Sequence, residues 1–301
     1  MSEDTVVFLT GGNVRYGVRL SSTEGFPRTS GCTPPSLPAP RAYHVLFTTP
    51  APNPIIAVCG GNDGSYTASC LTLDVENKRW DNNTMGPLTI PRYHHAVVTL
   101  KNIGNYVIGG SASNNPRTTD FLAQGSQEWK AGPEMTFDMT HPCAVVVSDT
   151  SFLTIYGNNI REYEVNLANP TSDSGWQQPT KWPQLQTYRK YWPGCVKIGE
   201  KVIVSGGWDG SGNLATTEIL DLETRKIEVA GELATPRRNF HIIKIVEAGL
   251  ERYLAMGGTD GSSFDSVEEF DADTLSWKPA ANLLEARAYY GVVALERSLV
   301  C

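Results

Sequence analysis

The feature that most constrains this chain is a phrase that it writes six times. A short apolar run stops on glycine in FLTGG (8–12), AVCGG (57–61), YVIGG (106–110), TIYGN (154–158), VIVSGG (202–207) and LAMGG (254–258). The first glycines, Gly11, Gly60, Gly109, Gly157, Gly206 and Gly257, lie 49, 49, 48, 49 and 51 residues apart. Length alone would allow about two ordinary domains. A period sustained across 301 residues outweighs that prior and makes the chain one repeat array.

Two further landmarks keep the same period. Trp80, Trp129, Trp176 and Trp277 follow Gly60, Gly109, Gly157 and Gly257 by 20, 20, 19 and 20 residues, while the fifth repeat has Ile227 near that place and the first has Gly31-Cys32. Before the next glycines stand PRAYH (40–44), PRYHH (91–95), YRKYW (188–192), PRRNFH (236–241) and ARAYY (286–290); the third repeat departs with MTHPC (139–143). Between landmarks the pattern is that of strands: one after the Arg-aromatic motif (AVVTL, 96–100), one ending on the glycines, one after a polar turn (EILDL, 218–222) and one around the tryptophan. Helical periodicity of useful length is absent. Four short strands every 50 residues or so make a sheet that cannot bury both faces alone, and radial packing of such sheets solves the problem. The expectation is an all-β, six-bladed β-propeller of four-stranded antiparallel blades.

The double glycine, the downstream aromatic and the tryptophan at this spacing resemble the kelch repeat, and the resemblance covers essentially the whole chain. It implies a propeller and leaves function open, because propellers host many unrelated activities. The chain starts on a second strand (VVFLTGG, 6–12) and finishes on a first strand (YYGVVALE, 289–296). The simplest account is one domain over 1–301, six repeats, with the last blade shared between residues 1–35 and 287–301 and closed by its N- and C-terminal strands.

The formal net charge of -7 argues against a nucleic-acid or anionic-membrane binder, since these need a basic footprint. The apolar runs are far too short to span a bilayer, so a soluble monomer is expected. Six cysteines are too few and scattered for a disulfide scaffold, and none forms a C-x-x-C zinc pair. Cys59 and Cys70 flank a turn-rich segment and would face each other across a hairpin. If bonded they imply secretion, and if free a cytoplasmic protein. One sequon, Asn82-Asn83-Thr84, is compatible with the secreted reading.

In an antiparallel blade, the start of the first strand and the turn between the second and third strands lie at one end of the sheet. That end collects Arg41, Tyr43, Arg92, Tyr93, Arg189, Tyr191, Trp192, Arg237, Arg238, Arg287 and Tyr289, with Asn62, Asp63, Asn114, Trp208, Asp209, Thr259 and Asp260 from the turns. Arginines and aromatics gathered there suit a protein or peptide partner, an acidic one included. The competing role is structural, each arginine tying backbone carbonyls between blades. Loss of partner capture without loss of stability in Arg92→Ala with Arg237→Ala would separate the two. Glu218, Asp221, Glu268, Glu269 and Asp271 read as solvated outer-strand carboxylates.

A binding module with no cofactor and no metal is therefore the main expectation. The alternatives are a secreted carbohydrate-binding or adhesive propeller and a copper radical oxidase, since Tyr43-His44 is similar to a tyrosine-histidine pair of those kelch-type enzymes. His44, His94, His95, His141 and His241 recur at one landmark, but neither a cysteine-linked tyrosine nor a further ligand is found beside them. An enzyme is the secondary reading.

Overall fold

The computed structural model describes residues 4–15, 17–27, 32–111, 116–171, 176–177 and 181–300. Gly31 and Asn114 lie outside them. Apart from one helical turn, α1 (Arg297–Val300), the regular structure is β, and it forms six antiparallel propeller blades.

Five blades are four-stranded and consecutive in sequence. They are β5 (Val45–Thr48), β6 (Ile56–Cys59), β7 (Cys70–Asp74) and β8 (Arg79–Asp81); β9 (Ala96–Leu100), β10 (Gly104–Ile108), β11 (Thr119–Ala123) and β12 (Lys130–Ala131); β13 (Cys143–Val146), β14 (Ser151–Tyr156), β15 (Asn159–Val165) and β16 (Trp176–Gln177); β17 (Gly194–Ile198), β18 (Lys201–Ser205), β19 (Thr217–Asp221) and β20 (Ile227–Ala230); and β21 (His241–Glu247), β22 (Leu250–Met256), β23 (Val267–Asp271) and β24 (Ser276–Ala280). In the sixth, β25 (Gly291–Glu296) pairs with β1 (Thr5–Thr10), which pairs with β4 (Thr23–Phe26). The register runs from Thr5 opposite Glu296 to Thr10 opposite Gly291, so strands from the two ends of the sequence share one sheet. A small hairpin, β2 (Asn13–Arg15) and β3 (Val18–Arg19), precedes β4.

Two compact units divide the chain, residues Met1–Ala42 with Gln186–Cys301, and residues Tyr43–Leu185. Each holds three blades. The second strand of a blade is the most enclosed, as in β10 and β6, where every residue is buried. That is why the phrase ending on glycine is a continuous apolar run rather than an alternating one: in β10, Val107 packs with the preceding blade, and Tyr106 and Ile108 with the following one. Within the unit 43–185, Val45, Phe47 and Cys59 pack against Val107, Leu122 and Trp129 of the next blade. Within the other unit, Ile203 and Ile219 pack against Phe240, Ile242 and Ala255.

The tryptophans join blades rather than face a ligand. Trp129 meets Phe47 of the preceding blade edge-on at 5.9 Å. Trp176 lies 5.0 Å from Tyr106 and donates through Nε1 to the Pro133 carbonyl at 2.9 Å, and Trp277 Nε1 donates to Thr217 Oγ1 at 2.9 Å. The paired glycines have an equally local cause. Gly206 and Gly207 adopt φ of +63° and +95°, and a Cβ on Gly206 would sit 2.6 Å from the Arg237 carbonyl.

Candidate functional site

The arginines of the repeated motif turn inward. Arg92, Arg189, Arg237 and Arg287 are at most 1% exposed and Arg41 is 4% exposed. In four blades Nη1 donates to the carbonyl of the first glycine of the same blade: Arg92 to Gly109 at 2.8 Å, Arg189 to Gly206 at 2.7 Å, Arg237 to Gly257 at 2.8 Å and Arg287 to Gly11 at 2.9 Å. Nη2 meets a buried carboxylate on the third strand, Asp120 at 2.8 Å, Glu218 at 3.0 Å, Glu268 at 2.7 Å and Glu24 at 3.6 Å, respectively. Those carboxylates also accept backbone N–H groups from the segment before the arginine, as Glu218 does from Gln186 and Thr187 and Glu268 from Ala234 and Thr235. The arginine's own carbonyl accepts the N–H of the second glycine of the preceding blade, as in Gly61 to Arg92, Gly207 to Arg237 and Gly258 to Arg287.

One residue thus fastens the glycine turns of two successive blades. Burial lowers the pKa of Arg92, Arg189 and Arg237, and the adjoining carboxylate opposes that shift. Arg41, Arg92, Arg189, Arg237 and Arg287 are therefore removed from the expected binding surface, because solvent does not reach them and their donors are committed to the frame. Glu218 and Glu268 are likewise buried ion-pair partners and not solvated carboxylates. Asp221 and Asp271 cap their turns by accepting backbone N–H groups, and Glu269 pairs with Arg252 at 2.7 Å.

The departing third repeat supports this assignment. Met139 stands in the arginine's place and is 0% exposed; Ile160, opposite Ile155, stands where the glutamate Glu218 lies opposite Val204, and is 1% exposed. Both halves of the ion pair are replaced together by apolar side chains, which is the substitution that leaves no buried charge unpaired.

The next part of the motif is half-buried in every blade but the one where Asn239 takes the place and is buried. Tyr43, His94, His141, Trp192, Asn239 and Tyr289 each sit two residues before the first strand of a blade, and each has a left-handed backbone, with φ of 63°, 57°, 64°, 60°, 56° and 58°. A non-glycine residue in this region costs about 1–3 kcal/mol and persists only when its surroundings impose it. Here backbone hydrogen bonds between successive blades do so: His94 N–H to Tyr43 O, His141 N–H to His94 O and Tyr289 N–H to Asn239 O. His94 and His141 were missing from the expected surface, although their fixed offset from the strand start was readable.

In the unit 43–185 these residues head an aromatic cluster. Tyr66, 49% exposed on the turn after Gly61, stacks on Tyr93 with ring centroids 4.0 Å apart and planes 5° from parallel. Tyr43 lies 4.4 Å from His94, and His94 lies 4.0 Å from His141. Burial, and then Tyr66, raise the Tyr93 pKa. Tyr66 was overlooked in sequence because it ends its turn rather than beginning it.

The other unit carries a second cluster with cations. Tyr191 and Trp208 exchange backbone hydrogen bonds and stack with planes 7° from parallel. Lys190 Nζ lies 5.2 Å from the Tyr191 centroid and 5.8 Å from that of Trp208. The Arg238 guanidinium stands 5.6 Å over Trp192 and donates to Asn213 Oδ1 at 2.8 Å; Trp192 meets Tyr289 edge-on at 6.3 Å. Asn239 is 7% exposed, and its Oδ1 and Nδ2 have no hydrogen-bond partner among the described residues.

The post-glycine polar residues shape turns. Asn62 Oδ1 accepts the Gly64 N–H, Asp260 Oδ1 that of Ser262, and Asp209 Oδ1 those of Ser211 and Gly212, which hold the Asp209 carboxyl below its ordinary pKa. Thr259 is 4% exposed, and its Oγ1 accepts the Gly261 N–H; Asp63 is exposed.

A disulfide joins Cys59 and Cys70, directly opposite one another on β6 and β7. Cys32, Cys143 and Cys195 are also disulfide-bonded, and no described cysteine is free. The expectation that scattered cysteines form no disulfide framework is corrected by this.

Besides the ring contact of His94 with His141, the histidines are held apart by separate partners. His95 Nε2 donates to the Cys59 carbonyl at 3.2 Å, His241 Nε2 to the Tyr290 carbonyl at 3.0 Å, and His44 is buried beside Tyr43. Burial, and secondarily the Arg92 charge, push the His95 pKa down to about 3. No group of three or more His, Cys, Asp or Glu side chains that could hold a metal ion occurs among the described residues. No helix among them is long and apolar enough to cross a membrane.

Comparison with known proteins places these repeats. Residues 193–226, which span β17 to β19, match the Kelch motif family. One repeat of the chain is thus similar to the Kelch motif. The chain is 25% identical over 138 residues to the Kelch repeat-containing protein kel-10 of Caenorhabditis elegans, covering 45% of this chain and 24% of that protein. A Kelch repeat and BTB domain-containing protein of the same organism is 24% identical over 139 residues, covering 46% of this chain and 24% of its own length. The match thus spans about a quarter of these relatives. Kelch repeats on propeller blades support a protein-interaction module in general terms.

Proposed function

We propose that this chain, acting as one monomeric domain over 1–301, binds a carboxylate-bearing protein or peptide segment through the aromatic residues that begin its blades. The observation that carries the reading is the Tyr191–Trp208 stack with Lys190 beside it and Arg238 over Trp192. Flat aromatic faces offer apolar area at low entropy cost, and the two cations supply charge that a partner carboxylate can use. Tyr43, Tyr66, Tyr93 and His94 extend the same chemistry in the unit 43–185 without adding charge.

Tyr43, Tyr93, Tyr191, Trp192, Trp208, Arg238 and Tyr289 remain in the proposed surface from the expected set, joined by Tyr66, Lys190 and His94. The test is selection from a displayed random-peptide library on immobilised wild-type protein and on Trp208→Ala with Arg238→Ala. Enrichment of acidic sequences on the wild type alone supports the reading. Equal enrichment on both, or none on either, overturns it.

A further inference from the structure

The sequon at 82–84 is not used by any role assigned so far. Asp81 ends β8 and shapes the segment after it, accepting the Asn83 N–H at 3.0 Å and the Thr84 hydroxyl at 3.5 Å while also accepting Thr72 Oγ1 at 3.2 Å. The chain bends outward here, leaving Asn82 and Asn83 exposed. Met85, immediately beyond, turns back in and lies 3.9 Å from Cys59 Sγ, sulfur to sulfur. An open acceptor tripeptide therefore stands at the mouth of a buried disulfide.

The disulfides supply the independent observation. With no free cysteine among the described residues, the chain matures where thiols are oxidised. In a eukaryotic cell that is the compartment in which Asn-x-Thr is modified. We propose that Asn82 carries an N-linked glycan. In the transfer, Asn82 Nδ2 forms a bond to the anomeric carbon of an oligosaccharide carried on a polyprenyl pyrophosphate. The anomeric C–O bond breaks, the pyrophosphate leaves with its electron pair, and the amide gives up one proton. The chain contains its own control: Asn169-Pro170-Thr171 is also exposed at its asparagine, and proline at the middle position blocks acceptance.

The position has a structural consequence. β8 is only three residues long and forms the edge of the sheet β5-β6-β7-β8. A glycan on the residue that follows it shields unpaired backbone groups from another chain's strand.

The direct experiment is peptide mapping of the native protein. Residues 80–92 form one tryptic peptide, and deglycosylation by a peptide N-glycosidase in heavy-oxygen water would convert Asn82 to labelled aspartate while Asn83 and Asn169 stay unchanged. Recovery of this peptide with Asn82 wholly unmodified before the glycosidase step overturns the proposal. The full chain sent through the secretory pathway of cultured cells gives the second arm: Thr84→Ala loses the glycosidase-sensitive mobility shift, and Thr84→Ser keeps it. A shift that persists in Thr84→Ala also overturns it.

Discussion

Replacing Arg237 with methionine should destabilise the protein more than any exposed substitution. The guanidinium is 0% exposed, donates to the carbonyls of Gly257 and Ser266 at 2.8 and 3.1 Å and to Ser266 Oγ at 3.0 Å, and pairs with Glu268 at 2.7 Å. Methionine fills much of the volume but leaves the Glu268 carboxylate, 4% exposed, without its countercharge. Breaking one side of a buried pair costs about 3–5 kcal/mol, a large share of a domain stability of about 5–15 kcal/mol. Adding Glu268→Leu removes the stranded charge, as Met139 and Ile160 do in the third repeat. Recovery should be partial, because the Ala234 and Thr235 N–H groups then lose their acceptor, at about 1–3 kcal/mol for an unsatisfied group. Urea unfolding followed by tryptophan fluorescence reads all three variants. A single Arg237→Met within about 0.5 kcal/mol of wild type, the range of ordinary surface changes, would refute the frame assignment.

Deleting residues 288–301 removes β25, the partner of β1 along six residues, and should abolish cooperative melting; a normal melt in scanning calorimetry contradicts that. Cys59→Ala with Cys70→Ala opens a bridge of sequence separation 11 and should cost about 3 kcal/mol by loop-closure entropy, seen as a lower urea midpoint. Acid should destabilise the fold through His95 and His141, both held near about 3 against an ordinary 6.5 by burial. The unfolded chain binds protons first, so this stability is complete above about 6.5, is lost progressively as pH falls, and levels off near about 3. Urea midpoints measured down this range should fall, and His95→Gln should flatten the decline.

The repeat made the fold legible. Glycines, tryptophans and the pre-strand motif recur because each blade solves the same closure problem, and the strands lie where that period puts them. The arginines were harder, since a side chain that ties blades together and one that greets a partner occupy the same sequence position. What separates them is a carboxylate on the third strand of the blade, about thirty residues onward for Asp120, Glu218 and Glu268 and at the other end of the sequence for Glu24, and only the three-dimensional register shows the buried pairs. The surface lies one to three residues further along, at Tyr93 and His94, Tyr191 and Trp192, or Arg238. Its left-handed backbone leaves no composition signal, because tyrosine, histidine, tryptophan and asparagine all take the place. The Cys59–Cys70 pair was readable from the hairpin that joins its two strands.

The central claim is that binding lies in the aromatic residues beside the frame and not in the frame itself. Titration calorimetry of a selected acidic peptide against Trp208→Ala with Arg238→Ala tests it most directly, with the melting temperature of the same sample as a check on folding. The account predicts at least a tenfold loss of affinity, about 1.4 kcal/mol, at a melting temperature close to that of wild type. Unchanged affinity in the folded variant would contradict it.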